Sequence, residues 1–402
     1  MHPTFFIHPP KSGGSTVISF FDLNYGPNHF VNFEWDRDGW EYKREKLRET
    51  TVGGGHQSYG IHRNLRIPLS YCTILRDPLA RQVSHYWYAF NGKNGEVARG
   101  ASVSAVEALV KRGEISLDEW VSESYGGENL FVQMLSGRSV VDATSLEIAR
   151  TNLHQQIKTA GVCEDMSAFL LQLCGKIGLS LPFYVETNRT GRSPQSAVQP
   201  SEAAVQKFVD ANQLDYDLYR FLNDKLNREI LASGGLYSKA LDVVKTVQAE
   251  INKLENPHLH TSTIFGFDPH HLAKVRSVAR EFDLTPIEEY VKFAQARQTT
   301  IADMYDGFVD VVRDGTVSGW VVNLSQPDQS VLIEIRVGDD VVAHGWSGEH
   351  RPDVFAAGYR TSRSGFAIRL PESALGGFDV AIAGSSETLQ NSGTWQQGWH
   401  CA

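Results

Sequence analysis

Near the amino terminus, the run His8-Pro9-Pro10-Lys11-Ser12-Gly13-Gly14-Ser15-Thr16 combines one lysine, two adjacent glycines and three hydroxyl side chains. Glycines let a backbone curl around an anion, and the free amides that open a following helix point at it. Lys11 adds a mobile positive charge, and Ser12, Ser15 and Thr16 add hydroxyl donors. Pro10 through Thr16 is therefore a candidate phosphate-binding segment. It is not a Walker A loop, in which lysine follows the second glycine; here Lys11 precedes the pair. The plain alternative is a strand-to-helix turn carrying a solvated lysine.

A second cluster is Leu75-Arg76-Asp77-Pro78, with Ser84 eight residues beyond Arg76. An arginine at the end of a strand, with a hydroxyl two helical turns on, can clamp a terminal phosphate through parallel hydrogen bonds. Arg76 with Asp77 alone also reads as an ion pair at a helix start. Asn188, Arg189 and Arg192 are weaker candidates for holding a nucleotide or its reaction partner, and equally read as solvated loop residues. The pairs His258 with His260 and His270 with His271 lack the spacing of a helical zinc site and have no cysteine company, so surface histidines are expected there.

The elements that must position these residues follow from the apolar pattern. Thr4–His8 reads as a strand entering the glycine loop, and 15–21 as the helix after it. Leu69–Leu75 reads as a second strand with a helical run to Phe90, and Phe183–Thr187 as a third, after the amphipathic stretch Met166–Ile177. Strands alternating with helices imply an α/β fold with a parallel sheet covered on both faces. From Ser201 to about Arg297 the pattern is helical, with Ser201, Asp268-Pro269 and Thr285-Pro286 as helix starts. Short alternating runs separated by turns follow: 308–312, 317–322, 331–337, 341–346, 365–370 and 378–383, an antiparallel β-sandwich. The expected organisation is one domain over 1–300, with an α/β core to about 225 and a helical extension over 226–300, then a β-sandwich over 306–402.

His8–Thr16 resembles the phosphosulfate loop of carbohydrate sulfotransferases that use PAPS (3′-phosphoadenosine-5′-phosphosulfate), and Thr73–Tyr88 resembles their 3′-phosphate motif. Gly55-His56-Gln57-Ser58-Tyr59-Gly60 is similar to the GHxxYG segment of the heparan/uronyl 2-O-sulfotransferase-like branch. Glu128–Leu130, Leu135–Gly137, Gly161–Met166 and Asn212–Tyr219 also resemble that branch, so the likeness covers residues 4–225. It implies a P-loop-like sheet and sulfuryl transfer to a hydroxyl of a glycan, a glycolipid or a small hydroxylated acceptor, with PAP as product. It further implies Lys11 as the cation on the leaving phosphate and His56 as the base. His62 and His8 are the rivals, and His62 with Arg63 is the candidate contact to the acceptor. No metal is required in this scheme, because lysine and arginine supply the positive charge. Proline at Pro9 and serine at Ser12 and Ser15 depart from the usual isoleucine and threonines, and keep loop stiffness and hydroxyls. Gly315–Val322, Arg351–Val354 and Gly365-Phe366 look like a β-sandwich module appended to bacterial glycan-modifying enzymes. Trp320, Trp346, Trp395 and Trp399 in that region either stack on sugars or fill the core.

Bulk properties narrow the field. The 402 residues carry a net charge of −9, which disfavours a nucleic-acid surface. No apolar run reaches the length of a membrane span. The opening residues lack the features of a signal peptide, and Cys72, Cys163, Cys174 and Cys401 form no CxxC pair, so a reduced, cytoplasmic protein is expected. A P-loop kinase is the rival enzyme, and a glycan-binding protein with an inactive transferase domain the rival from another class. The acceptor and the oligomeric state are not readable from the sequence.

Overall fold

The computed structural model describes residues 2–26, 29–33, 39–91, 103–185, 198–254, 269–297, 303–374, 376–385 and 387–393. The chain divides into two compact units, residues 1–59 with 69–301, and residues 60–68 with 302–402.

The first unit is α/β. Its strands β1 (Thr4–Ile7), β2 (Val31–Asn32), β3 (Val52–Gly55), β4 (Ser70–Leu75) and β5 (Ile157–Val162) form one parallel sheet in the order β2-β3-β1-β4-β5. Helices α1 (Gly14–Tyr25), α2 (Gly39–Thr50), α3 (Ile61–Leu65, in the second unit) and α4 (Pro78–Phe90) punctuate the first four strands. All four residues of β1 are buried, as expected for a strand covered on both faces. The bulky Phe5 and Phe6 pair with Gly53 and Gly54 of β3. A side chain at Gly54 would fall 2.3 Å from the Phe6 carbonyl oxygen, so β3 must be glycine-rich to lie beside β1. The core joins Phe6, Val17 and Phe20 to Phe169 and Leu173 of the helix Met166–Ile177 and to Val244 of the long helix Gln213–Ile251. That long helix is broken at Gly234, which adopts φ of 61°.

The third strand differs from expectation. The sheet takes β5 at 157–162, whereas the described part of Phe183–Thr187, residues 183–185, is not a strand. Its backbone polar groups are taken up by side chains instead: Val185 N donates to Ser19 Oγ (3.0 Å), and Tyr184 exchanges hydrogen bonds with the Gln248 amide (3.1 and 3.0 Å). Ser201 caps its helix by accepting from Ala204 N (3.3 Å), and Asp283 rather than Thr285 supplies the side chain at the start of the helix Thr285–Ala296. The helix Pro269–Ala279 begins at Pro269, and Asp268 lies outside the described residues.

The second unit holds two antiparallel sheets. Strands β6 (Tyr305–Arg313), β7 (Thr316–Asn323), β8 (Leu332–Val337), β9 (Asp340–Trp346), β10 (Glu349–His350), β11 (Arg363–Arg369) and β12 (Asp379–Ile382) pair in the orders β10-β11-β7-β6 and β12-β8-β9. Val309, Val317, Val321 and Phe366 from the first sheet share one core with Ile333, Ile335 and Val380 from the second. Residues 60–68 belong to this unit: Arg63 pairs with Glu387 (3.8 Å), and the Arg66 guanidinium lies 5.3 Å from the Tyr359 ring centre.

Candidate functional site

The glycine loop leaves the carboxyl end of β1, the central strand. Lys11 takes φ of 66° and Gly13 φ of 82°, so the backbone turns through the left-handed region twice before α1 starts at Gly14. A Cβ at Gly14 would fall 1.7 Å from His8 Nε2, which means that the histidine ring is packed directly on this glycine. Ser12 is fully buried, and its hydroxyl has no hydrogen-bond partner among the described residues. A buried polar atom left unsatisfied costs about 1–3 kcal/mol. A ligand oxygen seated in the loop would remove that cost.

Two further strands deliver their residues to the same edge of the sheet. The register aligns Ile7 with Gly55 of β3 and with Thr73 of β4, so His8, His56 and Arg76 all lie just past the carboxyl ends of neighbouring parallel strands. After β1 the chain moves toward β2 and β3, and after β4 it moves toward β5. The gap between β1 and β4 is thus the switch point at which open α/β sheets bind ligands. Arg76 Nη1 donates to the Lys11 carbonyl oxygen (3.1 Å), which ties the two motifs together.

His56 Nδ1 lies 2.6 Å from the His8 carbonyl oxygen, and the two rings are 4.4 Å apart. A carbonyl can only accept, so Nδ1 of this exposed ring carries the hydrogen, and in the neutral ring the lone pair falls on Nε2. That tautomer can take a proton.

Helix α4 is capped by Asp77, which accepts from Ala80 N (2.8 Å) and is followed by Pro78 in the first turn. Asp77 therefore caps the helix rather than pairing with Arg76. Ser84 is buried on this helix, and Tyr88 lies one turn further along the same face. The Lys11 ammonium stands 3.5 Å from the Tyr88 ring centre, a cation–π contact that parks the charge beside the loop. Tyr88 ends the second motif, but nothing in the local pattern links it to a lysine 77 residues away.

The segment after β5 closes the far side of the loop. Cys163 Sγ and Met166 Cε come within 3.2 and 2.8 Å of where a Gly13 Cβ would lie. Glu164 accepts from Asp77 N (2.9 Å) and from the Tyr219 hydroxyl (3.0 Å). Asn129 and Asp215 interlock the two remaining segments: Asn129 N donates to Asn212 Oδ1 (2.9 Å), and the Asp215 carboxylate accepts from Phe131 N and Val132 N (3.1 and 2.9 Å). Burial pushes Asp215 up to about 6, against its backbone donors and the nearby Arg81 charge. Arg81, itself buried, donates to Gly127 O (3.4 Å), and burial pulls it down to about 10. Arg81 thereby ties α4 to the segment at Gly127, near the Asp215 carboxylate.

The other candidates fall elsewhere. His62 is fully buried in the second unit with a hydrogen bond to the Tyr305 backbone, and burial, followed by the adjacent Arg63 charge, pulls it down to about 3. It presents no surface to an acceptor, and Arg63 is engaged with Glu387. Asn188, Arg189 and Arg192 lie outside the described residues, as do His258, His260, Trp395, Trp399 and Cys401. His270 is exposed, but His271 is buried rather than on the surface. Trp320 is half-buried against Tyr359, with ring centres 5.0 Å apart. Among the described residues no group of three or more His, Cys, Asp or Glu converges as a metal site, and no helix is long and apolar enough to cross a membrane.

Compared with known proteins, the chain matches no family model and no curated sequence.

Proposed function

We propose that the chain is a sulfotransferase that moves a sulfuryl group from PAPS to a hydroxyl of a carbohydrate, glycolipid or small hydroxylated acceptor. The observation that carries this reading is the convergence of the Lys11 loop, His56 and Arg76 at the carboxyl ends of β1, β3 and β4, with Arg76 bonded to the loop itself (3.1 Å). In this reading the loop is a P-loop-like cradle for the 5′-phosphosulfate, in which the Ser12 hydroxyl and the amides that open α1 receive phosphate oxygens. Arg76 and Ser84 hold the 3′-phosphate and thereby select PAPS over ATP.

Transfer is an in-line displacement helped mainly by positioning and electrostatics. The acceptor oxygen forms a bond to sulfur as the bond from sulfur to the phosphate oxygen breaks. His56 Nε2 takes the acceptor proton. Lys11 swings from the Tyr88 face to the leaving phosphate oxygen and neutralises the charge that develops there. PAP then departs, and His56 releases its proton to solvent.

Calorimetric titration of the purified chain with PAP, with adenosine 5′-phosphosulfate and magnesium-ATP as controls, tests this reading. Binding of PAP that weakens when the 3′-phosphate is absent supports it. Preference for magnesium-ATP, or no response to PAP, refutes it.

A further inference from the structure

The second unit contains an exposed indole beside a polar pocket that the transfer chemistry does not use. Trp346 ends β9, an edge strand, opposite Leu332 of β8. It is 63% exposed, the most exposed large aromatic side chain among the described residues. Trp87 and Trp120 are buried, and Trp40 and Trp320 are half-buried. An indole left in water forfeits the burial free energy that usually places tryptophan in a core.

The pocket beside Trp346 holds about 230 Å³ and is also lined by Asp303, Tyr305, Asn323, Gln329 and Ile382. Its polar groups are fixed in advance. Asn323 Oδ1 accepts from Ser325 N (3.0 Å) and Gln326 N (3.1 Å), so its amide nitrogen is aimed at Asp303 Oδ2 (2.9 Å). Gln326 Nε2 donates to both Asp303 oxygens (3.2 Å each), and Gln329 donates to Gln326. The chain Gln329–Gln326–Asp303–Asn323 thus holds the Asp303 carboxylate and the Gln329 and Asn323 amides beside Tyr305 around one small space.

We infer that this pocket is a binding subsite for one uncharged pyranose ring of a glycan. The indole offers a flat apolar face to the C–H face of a sugar. The carboxylate accepts from ring hydroxyls while the amide and phenol groups exchange hydrogen bonds with their oxygens. Sites for drug-sized ligands run to about 300–1,000 Å³, so this smaller volume suits a single ring. The lining carries one carboxylate and no lysine or arginine, which repels sulfated and uronic acid sugars. The inference does not depend on the sulfuryl-transfer reading, since every residue it uses belongs to the second unit.

The test is a glycan array displaying neutral and anionic saccharides, probed with the fluorescently labelled full chain and with its Trp346→Ala, Trp346→Tyr and Asp303→Ala variants. Thermal midpoints establish that each variant is folded. Wild type is expected on neutral hexose or N-acetylhexosamine glycans. Trp346→Ala is expected to lose about tenfold in signal, the worth of one stacking surface, with Trp346→Tyr retaining most of it. Asp303→Ala should weaken binding. Capture by no glycan, capture by anionic glycans alone, or an undiminished signal in Trp346→Ala each overturns the inference; the last outcome would place the glycan contact elsewhere on the chain.

Discussion

His62 should make the stability of the second unit sensitive to mild acid. Its folded form is neutral, held down from the ordinary 6.5 to about 3 by complete burial. A group whose folded value is depressed binds more protons when unfolded. Its contribution to stability is therefore complete above 6.5 and is lost as pH falls from there toward 3. At about 1.36 kcal/mol per tenfold change in protonation constant, the full span is worth about 5 kcal/mol. Between pH 8 and pH 5 the same linkage removes about 2 kcal/mol, which for a unit of this size lowers the melting midpoint by about 8–16 °C. The assay is denaturant unfolding at both pH values, followed by hydrogen exchange of strands β6 and β7, on wild type and on His62→Gln. The glutamine variant is less stable at pH 8 but cannot take up the proton, so its loss on going to pH 5 should be smaller by about 2 kcal/mol. Equal losses in the two proteins would show that His62 is not a buried neutral group, and would return it to contention as the base.

Other consequences concern the first unit. Gly14→Ala puts a Cβ 1.7 Å from His8 Nε2, so the His8 ring must move and disturb His56, 4.4 Å away; sulfuryl transfer should fall by about a hundredfold or more, and wild-type turnover would dismiss the packing argument. Lys11→Ala and Lys11→Gly should both abolish transfer, yet the glycine variant should be the more stable by about 1 kcal/mol, because a residue at φ of 66° is strained unless it is glycine. Chemical denaturation of both variants measures this, and equal stability would contradict the left-handed assignment. Asp215, raised to about 6, works with the opposite sign from His62: its stabilisation is present below the ordinary 3.8 and is lost as pH rises through 6. The first unit should therefore gain about 1.4 kcal/mol from this group between pH 7 and pH 5, a gain absent in Asp215→Asn; the same slope in both proteins would refute it.

Local pattern made the loop and Arg76 visible because their chemistry is written in neighbouring residues: a lysine before paired glycines, and an arginine where an apolar run stops. The contacts that turn them into one site were not visible. Lys11 meets the Tyr88 ring, and Arg76 meets the Lys11 carbonyl, across 77 and 65 residues, and no periodicity reports such separations. The sheet shows the same limit. Phe183-Tyr184-Val185 has the aromatic and β-branched composition of a strand, while Ile157–Val162 contains a lysine and a glycine. Yet the second forms β5 and the first does not, because Ser19 and Gln248 already take the hydrogen bonds that a neighbouring strand would need. Propensity describes what a segment tolerates; the partner for its backbone groups is chosen by the whole fold. His62 is the sharpest instance. As a histidine six residues after His56 it read as a second candidate for proton transfer, and only the excursion of residues 60–68 into the second unit, with Ile61 and Leu65 buried on either side, makes it a core residue. A polar side chain flanked by apolar ones at helical spacing is therefore ambiguous until the element it belongs to is assigned to a core. That assignment buries His62 in the second unit, whereas His56 stands just past the end of a sheet strand with its Nδ1 against a carbonyl, where the proposed transfer needs a base.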